Sequence, residues 1–463
     1  MKKVIAIAVA GVIGLVGLTL TNSATDNRTV LKVTNWAEYI DGGDADSPLI
    51  REFEQWYKEQ TGEDIRVEYC IADDNETLYN MIKMGDHFDL VCPSEYMLMK
   101  LVAEERVQAL PATFFDTRIE TNYYAKNVSP FIDKTFGENT MKKGEETVSW
   151  KEYAAGYMWG TTGFVYNPDP ELVNEADLQN WSVFTNPKYE GKITAKNNIR
   201  DTYFTGLAMH YDTELRTLKA QYQQGDWTFA EYQAKLKEKM NDTSPETMNA
   251  VKGKLMQMKD NLYGFETDEG KAKIIAGDIW INFQWSGDAV YVMDVAEGLY
   301  QEEYDGEPVY LCYSIPETAS NLWFDGWTLT KDCKNVDAAT MFINFLSMPE
   351  NAVRNMNYIG YTSCIGNEYV YENFALDYYE AEDGETDVVQ YDLNYYFNPN
   401  YVMGDPTTAS DDYVFYTYSD QVKRQLFAQY PDEETLSRCV AMDYFSYEAN
   451  ARANSMWSDI TFF

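Results

Sequence analysis

VLKVTNW (residues 30–36), SPLIREFEQWYKEQTG (47–62), DIRVEYCIA (64–72), LYNMIKMG (78–85) and FDLVCPSEYMLMKLVAEE (88–105) follow one another closely along the chain. Short runs rich in β-branched and aromatic residues alternate with runs whose apolar residues recur every three or four positions, the pattern of strand, helix, strand, helix, strand. In 47–62, Leu49, Ile50, Phe53, Trp56 and Tyr57 share one helical face. Ser47 and Pro48 stand as N-cap and first helical residue, and Gly62 ends the helix. Strict alternation of this kind predicts an α/β unit on a largely parallel sheet.

Further along, YAAGYMWGTTGFVYN (153–167) reads as a long extended segment punctuated by glycine. Residues 210–262 read as two or three helices, GDIWINFQW (277–285) and PVYLCYSIP (308–316) as strands, and VDAATMFINFLSM (336–348) as an amphipathic helix before Pro349. After Arg354 no lysine or arginine occurs until Lys423, and EAEDGETD (380–387) is an acidic run. The tyrosines around it (Tyr378, Tyr379, Tyr391, Tyr395, Tyr396) predict that 371–422 is a structured excursion carrying a solvated loop. A chain of 463 residues has material for more than one packed unit. At the N-terminus, Lys2 and Lys3 precede an uncharged run from Val4 to Leu20. That is the pattern of an export signal, so residues 1–25 are expected to be a signal peptide or an N-terminal anchor and the remainder to be secreted.

Composition narrows the function. The chain has 37 Lys+Arg against 75 Asp+Glu, a formal charge of −38. A phosphate backbone or an anionic membrane surface is bound by lysine and arginine, so this balance argues against both. It favours a cationic partner, although an acidic surface also serves solubility by itself. With two histidines, His87 and His210, there is little material for His-based zinc sites or Ser-His-Asp chemistry. The six cysteines (Cys70, Cys92, Cys312, Cys333, Cys364, Cys439) form no CxxC pair and are expected to be buried free thiols.

Ligand groups of open α/β sheets collect beyond the carboxyl ends of the strands. At those positions here stand Trp36, Glu38 and Tyr39; Ser94 and Tyr96; Trp285 and Asp288; and Trp323 and Asp325, with Tyr361 in NYIGYTS. The residues are aromatic and acidic. A flexible aliphatic polycation needs that mixture: carboxylates for each ammonium, and rings that attract the charge and cover the methylenes.

NWAEY (35–39), NETLYNMIKMGDHFDLVCPSEYMLMKL (75–101), GYMWGTTGFVYN (156–167), NPKYEGKITAKNNIRD (186–201), KNVDAATMFINFLSMPENA (334–352) and IGYTS (359–363) together resemble the spermidine/putrescine-binding proteins of bacterial ABC transporters. The resemblance runs from about residue 30 to 370, in the family's order. It implies a two-lobed periplasmic-binding-protein fold of type II, with a hinge and a ligand cleft between the lobes. It implies no catalysis: the protein would capture a polyamine outside the cytoplasm and deliver it to a membrane permease. Position by position, Trp36, Glu38, Tyr39, Ser94, Tyr96, Trp285, Asp288, Trp323, Asp325 and Tyr361 fall on the family's ligand contacts. Asp325 matches the amine anchor, Trp285 and Trp323 line the aliphatic stem, and Asp288 or Asp201 takes another amine. Where the spermidine type has an Asp-x-x-Glu pair, this chain has Asn198 and Asp201, so one carboxylate has become an amide. Ala37 replaces a hydroxyl residue, a C-terminal glutamine aligns only near Met442 or Asp443, and the 371–422 excursion exceeds the family's segment.

The lobes are expected to be discontinuous, with 29–156 plus 322–370 forming one and 157–321 plus 371–463 the other. Crossings would lie near Gly156, Leu322 and Val370. The protein is expected to be a monomer in the periplasm or on the outer face of the cell membrane, without cofactor, metal or nucleic acid. Two other readings stand beside this one. A sugar or thiamine receptor on the same fold would also use stacked aromatics, and an enzyme would use Cys92 as nucleophile or a carboxylate pair.

Overall fold

A computed structural model describes residues 28–298 and 308–462, so the export-signal reading of residues 1–25 lies outside the described residues. From Thr29 to Ala103 the chain folds as its pattern predicts. Strand β1 (Thr29–Asn35) leads to helix α1 (Pro48–Thr61), strand β2 (Ile65–Ile71), helix α2 (Asn75–Met84), the short strand β3 (Leu90–Val91) and helix α3 (Glu95–Ala103). β1 pairs in parallel with both β2 and β3, which the connecting helices make possible. Pro48 opens α1, while Gly62 closes it in the left-handed conformation at φ 79°. The Ser47 hydroxyl caps nothing; it donates to the Asp41 carbonyl at 2.6 Å and holds the loop that carries Trp36 and Tyr39.

Strand β4 (Ala155–Tyr166) is buried along all twelve residues, the mark of a central strand covered on both faces. Beyond it come β5 (Ile193–Lys196), helix α4 (Ile199–His210), β6 (Gly264–Glu266), helix α5 (Glu269–Ile275), β7 (Ile281–Trp285), helix α6 (Ser286–Ala296) and the long strand β8 (Ser320–Thr330). The hydrogen-bonded path runs β2-β1-β3-β8-β4-β7-β5-β6. Parallel ladders at both ends, β2-β1-β3 and β7-β5-β6, are joined through the antiparallel strands β4 and β8. Those two strands therefore connect the two α/β portions of the molecule. Their register shifts between Asp325 and Gly326, a bulge that re-aims β8 in the middle of the crossing.

Residues 371–422 are structured. The strands Val388–Asp392 and Val414–Tyr418 pair as an antiparallel ladder, and the acidic run between Glu380 and Asp387 forms turns. The segment touches the first α/β portion, where the Ser129 hydroxyl donates to the Tyr396 carbonyl at 2.6 Å, and the residue that follows it, Lys423, pairs with Glu175 at 2.8 Å. All six cysteines are free thiols, five of them buried. Among the described residues no helix is long and apolar enough to cross a membrane.

Candidate functional site

The crossing of β4 and β8 gathers the site. Trp323 and Asp325 are two residues apart on β8 and so project to one face. Asp325 is 4 % exposed, and its carboxylate is held by three neutral donors. Oδ2 accepts from Trp36 Nε1 at 3.1 Å and from Tyr39 Oη at 2.9 Å, and Oδ1 accepts from Ser94 Oγ at 2.6 Å. Ser94 is itself clamped by Asn75, whose Nδ2 donates to the hydroxyl at 2.9 Å and whose Oδ1 accepts the Ser94 N–H at 3.0 Å. Among the described residues no lysine or arginine is paired with Asp325. Burial pushes its carboxyl up to about 6 against the pull of the Ser94, Tyr39 and Trp36 hydrogen bonds.

Rings wall this carboxylate. Tyr361 meets Tyr39 edge-on at 5.7 Å and Trp323 edge-on at 5.2 Å, and the Trp323 indole N–H donates to the Thr161 carbonyl at 3.3 Å. Both rings rest on glycine: a Cβ at Gly287 would lie 2.2 Å from Tyr361 Cγ, and one at Gly160 2.7 Å from the Trp323 ring. Gly287→Ala is therefore expected to displace Tyr361 and to cost about 1–3 kcal/mol, the range for overpacking a filled site. The urea midpoint measures it, and an unchanged midpoint refutes this seating.

The second wall comes from β5, α4, β7 and α6. Asp201, in the first turn of α4, is buried and accepts from the Trp285 indole N–H. Burial pushes its carboxyl up to about 6, with Lys196, Trp285 and Arg200 pulling the other way. Lys196, the last residue of β5, places its ammonium 3.9 Å from the centre of the Trp285 ring. Asp288, in the first turn of α6, donates its backbone N–H to Tyr361 and pairs through its carboxylate with Lys271 at 3.4 Å. The Tyr96 hydroxyl donates to Glu76 at 3.3 Å, and its ring faces the Arg200 guanidinium at 4.3 Å. Arg200 stacks on Phe445 at 3.7 Å and donates to the Asp443 carbonyl.

Two expected contacts stand apart from this cluster. The Asn198 side chain is the N-cap of α4, accepting from the Arg200 N–H at 2.7 Å and the Asp201 N–H at 3.4 Å, so its carbonyl is already engaged. Glu38 is exposed in a turn at φ 52°, and its backbone N–H donates to Asp44. The left-handed turn carries its side chain outward while Trp36 and Tyr39 on either side point in.

Residues 49–372 match the model of the bacterial extracellular solute-binding protein family. The chain belongs to this family. As a solute-binding protein it is 24 % identical over 351 residues to the spermidine/putrescine-binding periplasmic protein of Escherichia coli, covering 75 % of this chain and 81 % of the relative. It is 26 % identical over 347 residues to a putrescine-binding periplasmic protein of Pseudomonas aeruginosa, covering 73 % and 80 %. The fold is shared with the spermidine/putrescine ABC transporter substrate-binding protein of Streptococcus pneumoniae, at TM-score 0.57 and 23 % identity over 94 % of this chain and 99 % of that one. It is shared also with a Treponema pallidum lipoprotein, at TM-score 0.59 and 15 % identity over 94 % and 100 %. These are the two-lobed architectures the sequence led us to expect.

The solute-binding protein is not an enzyme, and the cysteine offered as a nucleophile is built for packing. Cys92 has no exposed surface, and burial holds its thiol well above the usual range, so it is no nucleophile. Among the described residues no group of three or more His, Cys, Asp or Glu side chains could hold a metal ion. The groups a search for acids and aromatics passes over are Asn75, Gly160, Lys196, Arg200, Lys271 and Gly287. Lys196 carried a signal: it ends a strand, at the end where site groups collect.

Proposed function

We propose that this protein captures a polyamine outside the cytoplasm and hands it to an ABC-transporter permease. The reading is carried by Asp325, a buried carboxylate held by neutral donors and walled by Trp36, Tyr39, Trp323 and Tyr361. A carboxylate so desolvated gains most from an ammonium, and the ring faces add about 0.5–2 kcal/mol of cation–π attraction. Asp201 and Asp288 on the facing wall are the groups for a second amine, with Trp285 and Trp323 along the methylenes. Ligand entry requires the two portions to part about β4 and β8 and to close again over the bound cation. The names of the relatives and the N-terminal export pattern agree with this role.

Calorimetric titration of the protein, stripped of carried-over ligand by partial unfolding and dialysis, tests it. The ligands are putrescine, cadaverine, spermidine, spermine, thiamine and maltose. One-to-one binding of a polyamine is expected. Well-folded protein that answers only to thiamine or maltose overturns the reading.

A further inference from the structure

The facing wall already contains ammonium groups of its own. Lys196 is fully buried, and its Nζ donates to the Thr267 carbonyl at 2.9 Å and to Gln284 Oε1, both neutral oxygens. From there it lies over Trp285, the ring that receives a ligand's cationic stem in the proposed site. The charges facing it are Asp288, Glu266 and Asp201, with Lys271 as a second cation beside them. Lys271 itself bridges Asp288 at 3.4 Å and Asp268 at 3.0 Å. Arg200 stands on the other side of Asp201, between the rings of Tyr96 and Phe445. Among the described residues Asp201 and Asp288 thus each have resident cations, and Asp325 has none. The further carboxylate that a longer ligand would need is missing as well, because Asn198 is an amide spent on capping α4.

We propose that Lys196 is a specificity-determining residue: its tethered ammonium occupies a cationic subsite on Trp285, so that the cleft selects a short diamine over a triamine. The proposal rests on the polyamine reading above. Two cations on one indole repel in a site shielded from water, and a protein discriminates as much by such repulsion as by attraction. One ammonium of a diamine goes to Asp325, and the other lies between Asp201 and Asp288, sharing them with the resident lysines. A third ammonium along the stem would meet Lys196.

The test compares charge with length. Wild-type protein is titrated with putrescine, spermidine and 1,8-diaminooctane, the last having the length of spermidine without its mid-chain ammonium. Lys196→Gln, which keeps a donor for the Thr267 carbonyl, and Lys196→Arg, which keeps the charge, are titrated in parallel. Wild type is expected to bind putrescine about tenfold tighter than spermidine, with 1,8-diaminooctane recovering most of the difference. Lys196→Gln is expected to lose the discrimination and Lys196→Arg to retain it. Equal or tighter spermidine binding by wild type overturns the proposal while leaving the polyamine reading intact. The same holds for a ratio unmoved by Lys196→Gln in folded protein. If Lys196→Gln fails to fold, 1,8-diaminooctane binding no better than spermidine to wild type refutes it alone. Folded wild type that binds none of the three removes both the proposal and the reading beneath it.

Discussion

Asp325→Asn is expected to weaken polyamine binding by about 100-fold or more while leaving the folding midpoint unchanged or raised, because a buried charge pair loses about 2–5 kcal/mol when one partner is removed. The asparagine keeps the shape of the carboxylate and one acceptor for the Trp36 and Tyr39 donors, and Ser94 Oγ can turn to accept from the new amide. What it removes is the charge that would meet an ammonium. Among the described residues Asp325 has no resident cation, so none of them at the crossing of β4 and β8 replaces that charge. Stability should move the other way, since an ionised carboxylate at 4 % exposure opposes folding until a cation arrives. Calorimetry gives the affinity and thermal unfolding the stability. A dissociation constant within about threefold of wild type would place the ammonium elsewhere.

Much of this site was legible because it is written in short segments. Trp36 and Tyr39 lie one and four residues beyond the end of β1, Trp323 and Asp325 are two residues apart on β8, and strand-end positions are where such groups collect. What was not legible depends on partners far apart in sequence. Asp325 meets Ser94 across 231 residues and Trp36 across 289, and the glycine seats of Trp323 and Tyr361 exist only once the strands cross. Asn198 is instructive. Read against the family it is a lost carboxylate; read locally, Asn followed three residues later by Asp201 is a helix start, and the structure uses it so. The strand seen in FDLVCP shrinks to Leu90–Val91 because Pro93 has no N–H and Asp89 turns its carboxylate to the Lys32 N–H at 3.0 Å. The paired strands of the 371–422 excursion are separated by residues 393–413, far longer than a hairpin turn, so no local turn announces the pairing and only the aromatic content pointed to order.

Binding is expected to collapse in mild acid, and the two buried carboxylates set where. Burial raises Asp325 and Asp201 to about 6, so both are ionised above that pH and neutral below it. A neutral carboxyl attracts no ammonium. Between about pH 7.5 and about pH 4.5 the fraction of each site in the charged form falls about 30-fold, so affinity should fall about 30-fold through Asp325 alone and about 1000-fold if both hold amines. Asp325→Asn should flatten the part of the profile that Asp325 supplies. Near pH 6 ligand binding should release protons, which titrations in buffers of different ionisation enthalpy detect. Stability without ligand should follow the opposite course. A carboxyl at about 6 when folded and 3.8 when unfolded binds its proton more tightly in the native state, so acidification from about pH 7 toward about pH 4 adds up to about 3 kcal/mol per group. General acid unfolding would lower affinity and stability together. A fall in affinity accompanied by a rise in the ligand-free midpoint belongs to carboxylates kept dry for an incoming cation, and an affinity that is flat from about pH 7.5 to about pH 5 would show that neither carboxylate carries the ligand's charge.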